Sequence, residues 1–210
     1  MTAPTLPNEK QRLRVLWQYD VLGSVPEEVF DDLTELAASI CEAPIALITL
    51  VDEDRQWFKA KIGVSLSETS RDISFCGHAI AQSELFIIPD ATKDERFAHN
   101  PLVISEPQIR FYAGAPLITP DGHALGTLCV IDKVPRELRP EQKTALRVLA
   151  RHVMTQLELR HRAHELANAH QERKQMKSEL AKARAELAKL RRKHGTKKAK
   201  KARRSRSKKS

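Results

Sequence analysis

The stretch "PIALITLVDEDRQWFKAKIG", residues 44–63, decides the fold. "PIALITLV" is a short apolar run rich in β-branched residues, bounded by Pro44 and the acidic turn "DEDR", and it reads as a buried central strand. "QWFKAKIG" then alternates, with Phe58, Ala60 and Ile62 on one face and Trp57, Lys59 and Lys61 on the other. Two strands joined by a short polar turn make an antiparallel hairpin.

Upstream, Leu13, Leu16 and Trp17 within residues 8–20 repeat at helical spacing. "GSVPEE" breaks that helix, and Ser24 with Glu27 three positions on has the spacing of a capping box. A second helix to about Cys41 carries Phe30, Leu33, Leu36, Ala37 and Ile40 on one face. Downstream come a short helix from Ser74, a strand at 85–89 and an irregular loop. Strands at 109–118 and 124–132 follow, flanking the turn "TPDGH". A long helix begins near Pro140, with Leu146, Leu149, Val153 and Leu157 as its core stripe. Helices, mostly antiparallel strands, then a helix make this an α+β chain.

Beyond Leu157 the helical pattern continues to Arg192 with a thinner stripe. Leu159, Leu166, Ala169, Met176, Leu180, Ala183, Leu187 and Leu190 fall on heptad seam positions, interrupted by Arg162 and Arg173. The predicted organisation is a domain with its N-terminal helices over 1–160, a coiled-coil helix over 161–192 and a disordered basic tail over 193–210. Charge follows the same division. Residues 160–210 hold 20 Lys and Arg against 4 Asp and Glu, a net of +16, whereas residues 1–159 are net −7. The tail lacks aromatic side chains, so contact with nucleic acid would be phosphate-driven, non-specific and salt-sensitive. A membrane surface competes as partner, but no apolar anchor accompanies the lysines.

Three cysteines, Cys41, Cys76 and Cys129, at wide spacing form neither a disulfide framework nor a metal pair. The eight histidines are scattered, and no metal or cofactor is expected. The N-terminus has no apolar signal region and no run suits a membrane helix, which places the protein in a reducing cytoplasm.

"PIALITLVDEDRQWFKAKIG", "SFCGHAI", "IIPDATKDERFAHNPLV", "IRFYAGAPL" and "GTLCVID" stand in the order and spacing of a bacterial GAF domain, which the chain resembles over roughly residues 8–160. The resemblance implies a six-stranded antiparallel sheet with N- and C-terminal helices on one face. It implies a small-molecule pocket on the other face, and a regulatory module that passes its state to an output through flanking helices.

The candidate ligand contacts are Trp57, Phe75, Cys76, Phe97, Tyr112 and Cys129 as lining, with His78, Asn100 and Arg110 as polar contacts. Phe97 alternatively anchors its loop, and Arg110 alternatively pairs with Asp90 or Asp94. Cys76 and His78 point roughly 200° apart on a helix, which argues against a thiolate–imidazole pair and for a buried thiol in a packed turn. "CGHA" is similar to the "CGTA"-like turn of the free methionine-(R)-sulfoxide reductases, which are GAF proteins. Yet the loop that carries their nucleophile, here "NPLVISEPQ", has no cysteine, and Tyr112 and Cys129 stand where their substrate-binding carboxylates would. No Cys-His dipeptide suggests bilin attachment. The resulting expectation is a non-enzymatic sensor that binds a small molecule and signals through a helical homodimer to a separate output protein. The alternatives are a nucleic-acid-associated protein using its basic tail, and a thiol redox sensor or reductase-like enzyme working through Cys76.

Overall fold

The computed structural model describes residues 2–206, with side chains described up to Lys189. In chain order the elements are α1 (Glu9–Gln18), α2 (Glu28–Cys41), β1 (Ile45–Val51), β2 (Arg55–Ile62), β3 (Glu68–Ser70), α3 (Phe75–Ala79), β4 (Phe86–Ile88), α4 (Pro101–Ile104), β5 (Phe111–Ile118), β6 (Ala124–Asp132) and α5 (Pro140–Arg206). The six strands form one sheet in the order β3-β2-β1-β6-β5-β4, and every neighbouring pair is antiparallel. Every residue of the central strands β1 and β6 is buried, because both faces of the sheet are covered. Gly126 lets these strands meet closely: a Cβ there would collide with the Thr49 carbonyl of β1.

Two clusters of buried side chains lie on opposite faces of the sheet. The first joins α1, α2 and the beginning of α5, with Leu16, Phe30, Ala37, Leu146, Val153 and Leu157 packed on Ile48, Leu50 and Leu128. The second gathers Phe75, Cys76, Phe97, Tyr112 and Cys129 on Ile45, Leu47 and Ile131. Between them, β2 changes face. Ile48 pairs with Ala60 but Thr49 pairs with Phe58, so Lys59 is an extra, bulged residue. The alternation predicted for β2 therefore breaks: Ala60 belongs to the helix-side cluster and Phe58 to the opposite one.

The bulge also explains the fate of the predicted capping box. Glu27 is the N-cap of α2 without a side-chain cap. Ser24 Oγ instead accepts a hydrogen bond from Lys59 Nζ at 2.9 Å, and Glu27 Oε1 accepts one from the same ammonium at 2.6 Å. Val25 O completes the set at 2.8 Å. A buried lysine needs such partners, since an unpaired buried charge is far costlier than a missing cap. On α1, Trp17 is 50% exposed and donates to Asp52 Oδ1, while Arg12 is fully buried and paired with Glu9.

The chain divides between His161 and Arg162 into two compact units. In the second unit Leu166, Met176, Leu180 and Leu187 are exposed. The backbone of 193–206 is helical, where the absence of an apolar period predicts disorder. Lys, Arg and Ala are strong helix formers, and their propensity favours a helix where the sequence has no apolar period. Residues 207–210 lie outside the described residues. No helix among the described residues is long and apolar enough to cross a membrane.

Candidate ligand-binding site

On the face away from the long helices, the chain between β3 and β5 wraps over the sheet and leaves a small cavity of about 50 Å³. Phe75 and Cys76 come from α3, placed there by a genuine cap in which Ser74 Oγ accepts from the Gly77 amide at 2.8 Å. Tyr112 of β5 and Ile45, Leu47 and Ile131 of the sheet form one wall, and Leu102, Pro107 and Ile109 close the other. A larger concavity of about 300 Å³ lies among Glu84, Pro116, Arg147 and Arg151. It is a groove against the charged side of α5, whereas the smaller cavity has the apolar walls and few polar groups of a small-molecule site.

Phe75, Cys76 and Tyr112 line this cavity. Tyr112 Oη donates to Cys76 Sγ at 3.2 Å, and the Cys129 sulfur lies 3.8 Å from that of Cys76. The tyrosine hydroxyl occupies the space over Gly114 that any Cβ would fill. Burial raises the Cys76 thiol, but hydrogen bonding with Cys129, Thr127, Thr49 and Tyr112 outweighs it and lowers the pKa to about 7. Burial and the neighbouring Cys76 push the Cys129 thiol well above the ordinary range. Cys41, on the helix side, is raised to about 11 by burial.

The other predicted contacts have different surroundings. Phe97 stacks on Phe75, ring centroids 4.0 Å apart, with Arg96 over its face at 5.4 Å, so it anchors its loop. His78 meets the edge of Phe97 at 4.9 Å, and burial followed by the Arg96 charge lowers its pKa. Asn100 caps α4 by accepting from the Leu102 amide and donates to Ile73 O, both at 2.9 Å. Arg110 donates to the carbonyls of Val103 and Ile109, at 2.9 and 3.2 Å; Asp90 and Asp94 pair instead with Lys93 and Arg96. These two side chains hold the loop that roofs the cavity. Trp57 does not join the site: the bulge turns it toward the helix-side cluster.

Among the lining residues absent from the sequence reading, two are polar and buried at the atom that would bind. Gln56, only 5% exposed, and Thr69 both line the cavity. Gln56 Oε1 and Thr69 Oγ1 are buried without a hydrogen-bond partner. They are cross-strand neighbours in the β2–β3 register. The available signal was a polar residue two positions before Phe58, on an inward face. Among the described residues no cluster of His, Cys, Asp and Glu is arranged to hold a metal ion.

A protein of Pseudomonas aeruginosa named cyclic di-GMP phosphodiesterase is 45% identical to this chain over 159 residues, which are 75% of the chain and 27% of that protein. The chain thus spans about a quarter of the length of the curated relative. This relative corrects the expectation of a non-enzymatic protein, because a sequence so similar belongs to a protein named as an enzyme. Among solved structures, the GAF domain of a phosphoenolpyruvate-protein phosphotransferase from Coxiella burnetii aligns with a TM-score of 0.54 at 18% identity, covering 77% of this chain and 96% of that one. The free methionine-R-sulfoxide reductase of Neisseria meningitidis, solved with its substrate, aligns with a TM-score of 0.53 at 16% identity, covering 76% and 96%. These two likenesses show the fold. The GAF domain family pattern itself matches residues 25–157, and with the six-stranded antiparallel sheet it establishes that the chain belongs to the GAF domain family.

Proposed function

We propose that the protein is a sensory GAF module serving cyclic di-GMP turnover, which binds a small molecule in the cavity over Cys76 and Tyr112. The cavity carries this reading: it is lined mostly by apolar side chains, and its roof hangs on a few loop contacts from Asn100 and Arg110. A ligand that reshapes this roof shifts the sheet's packing only through interactions that differ between its bound and free states. The output runs through α5. Its exposed Leu166, Met176, Leu180 and Leu187 supply a seam for pairing with a second copy, and the basic residues after Lys193 supply contact with an anionic partner. The name of the Pseudomonas aeruginosa relative supports cyclic di-GMP turnover as the process served. A native mass spectrum of the full chain after gentle purification tests the reading. A dimer carrying an additional small mass is expected; a bare monomer would overturn it.

The sulfur–sulfur distance of 3.8 Å favours a second reading, a thiol sensor. A small hydroperoxide entering the cavity is attacked at oxygen by the Cys76 sulfur. Its O–O bond breaks and releases water or an alcohol, leaving a sulfenic acid. The Cys129 sulfur then displaces hydroxide, which leaves as water with the Cys129 proton. The two sulfurs draw in to a bond of about 2.0 Å. The two thiols lose two electrons to the peroxide. Peroxide titration followed by peptide mapping should link Cys76 to Cys129 and leave Cys41 reduced; equal oxidation of all three would exclude this reading.

A further inference from the structure

We infer that the cavity takes a small, uncharged, largely apolar ligand that donates a hydrogen bond to Gln56 and Thr69, and that it rejects phosphate-bearing nucleotides, cyclic di-GMP included. This rests on the reading that the cavity binds a ligand, and it fixes the ligand's chemistry.

The polar end of the site comes from the β2–β3 pair. Gln56 Oε1 and Thr69 Oγ1 face the cavity from paired backbone positions, both are buried, and neither has a partner. A buried acceptor left unpaired costs the full desolvation of that group, which folding alone has no reason to retain next to Phe58 and Val64. The Gln56 amide oxygen only accepts, while the Thr69 hydroxyl accepts or donates, so a ligand that satisfies Gln56 presents an N–H or O–H group.

Charge sets the second limit. None of the 14 residues lining the cavity is Lys, Arg, His, Asp or Glu. The nearby guanidinium of Arg110 is directed to the Val103 and Ile109 carbonyls, and that of Arg96 to Asp94. An anionic phosphate enclosed here would lose its hydration with no cation to replace it, a penalty of several kcal/mol per charge. Size sets the third limit, since about 50 Å³ accommodates about three non-hydrogen atoms. The small molecule sensed and the cyclic dinucleotide being turned over are therefore different substances.

Ethanol and dimethyl ether test this directly, being isomers of a size the cavity accepts, of which only ethanol has an O–H donor. Methyl resonances of Ile45, Leu47 and Ile131 in the full-length protein report binding to the cavity. Ethanol is expected to bind about tenfold more tightly than dimethyl ether, the ratio one buried hydrogen bond confers. In Gln56→Leu the preference should vanish while dimethyl ether still binds, and Thr69→Val, closer in shape, should reduce it. Cyclic di-GMP should leave these methyl signals unmoved. Equal binding of the two isomers to the wild-type protein, or cavity shifts on adding cyclic di-GMP, would overturn this inference and leave the pocket reading standing. Failure of both isomers to bind would overturn both.

Discussion

Lys59 and Gln56 sit three residues apart on β2, both buried, and they serve opposite faces of the sheet. The Lys59 ammonium has three oxygen partners and lies 5.0 Å from the centre of the Phe30 ring. Gln56 Oε1 has no hydrogen-bond partner within the chain. The helix side is built as a core, with apolar residues packed together and the Lys59 ammonium matched by three oxygens. The opposite side keeps a void, two unpaired oxygens and a pair of touching thiols. Polar burial is therefore not one phenomenon in this protein. On one face the Lys59 ammonium is compensated within the chain; on the other Gln56 Oε1 and Thr69 Oγ1 are not.

Truncations should separate the two faces, beginning with the helix side. Phe30, a fully buried residue of α2, should cost about 4 kcal/mol when replaced by alanine, read from urea unfolding. A loss below about 1 kcal/mol would mean that this face is as loosely packed as the other. Lys59→Ala should cost about 2–3 kcal/mol, below the full value for a buried ion pair because Glu27 is partly exposed and keeps Arg160.

Acid should act on the same side of the comparison. Burial raises the carboxyl of Glu9, but hydrogen bonds and charges from Arg12 and Arg71 hold it at about 2. Glu27 is depressed against its burial by Lys59 and Arg160. A depressed carboxylate contributes stability that is present above its unfolded pKa near 4.5 and lost as pH falls from there toward the folded value. The urea midpoint should therefore fall between pH 5 and pH 3, and Glu9→Gln should flatten that fall. An unchanged midpoint would show that these ion pairs do not hold the helix side together.

The same comparison explains what was legible in the sequence. Core strands announced themselves by β-branched runs, and β6 was predicted at the bounds it has, Ala124–Asp132. Strand β3 was invisible, because "ETS" has no apolar period and is strand only through pairing with β2. Trp57 was read onto the pocket side because strict alternation has no way to register a bulge, which depends on where Lys59 finds its oxygens. Phe75, Cys76 and Tyr112 were legible as pocket lining, since aromatic and thiol side chains on a helix and a strand of one face must converge. Asn100 and Arg110 looked like ligand contacts because a polar side chain that ties down a loop and one that binds a ligand are the same residue types. Gln56 was overlooked although it breaks an inward apolar face, a conflict between local pattern and fold of the kind that marks functional positions.

The smallest expected effect is the most telling, because its sign is reversed. Gln56→Leu removes an unpaired buried oxygen and fills the cavity wall with carbon. If the pocket face keeps its polar groups for a ligand, the unliganded variant should be more stable than the wild-type protein by about 1 kcal/mol in urea unfolding. A variant less stable than wild type would show Gln56 to be a structural residue and would contradict the account.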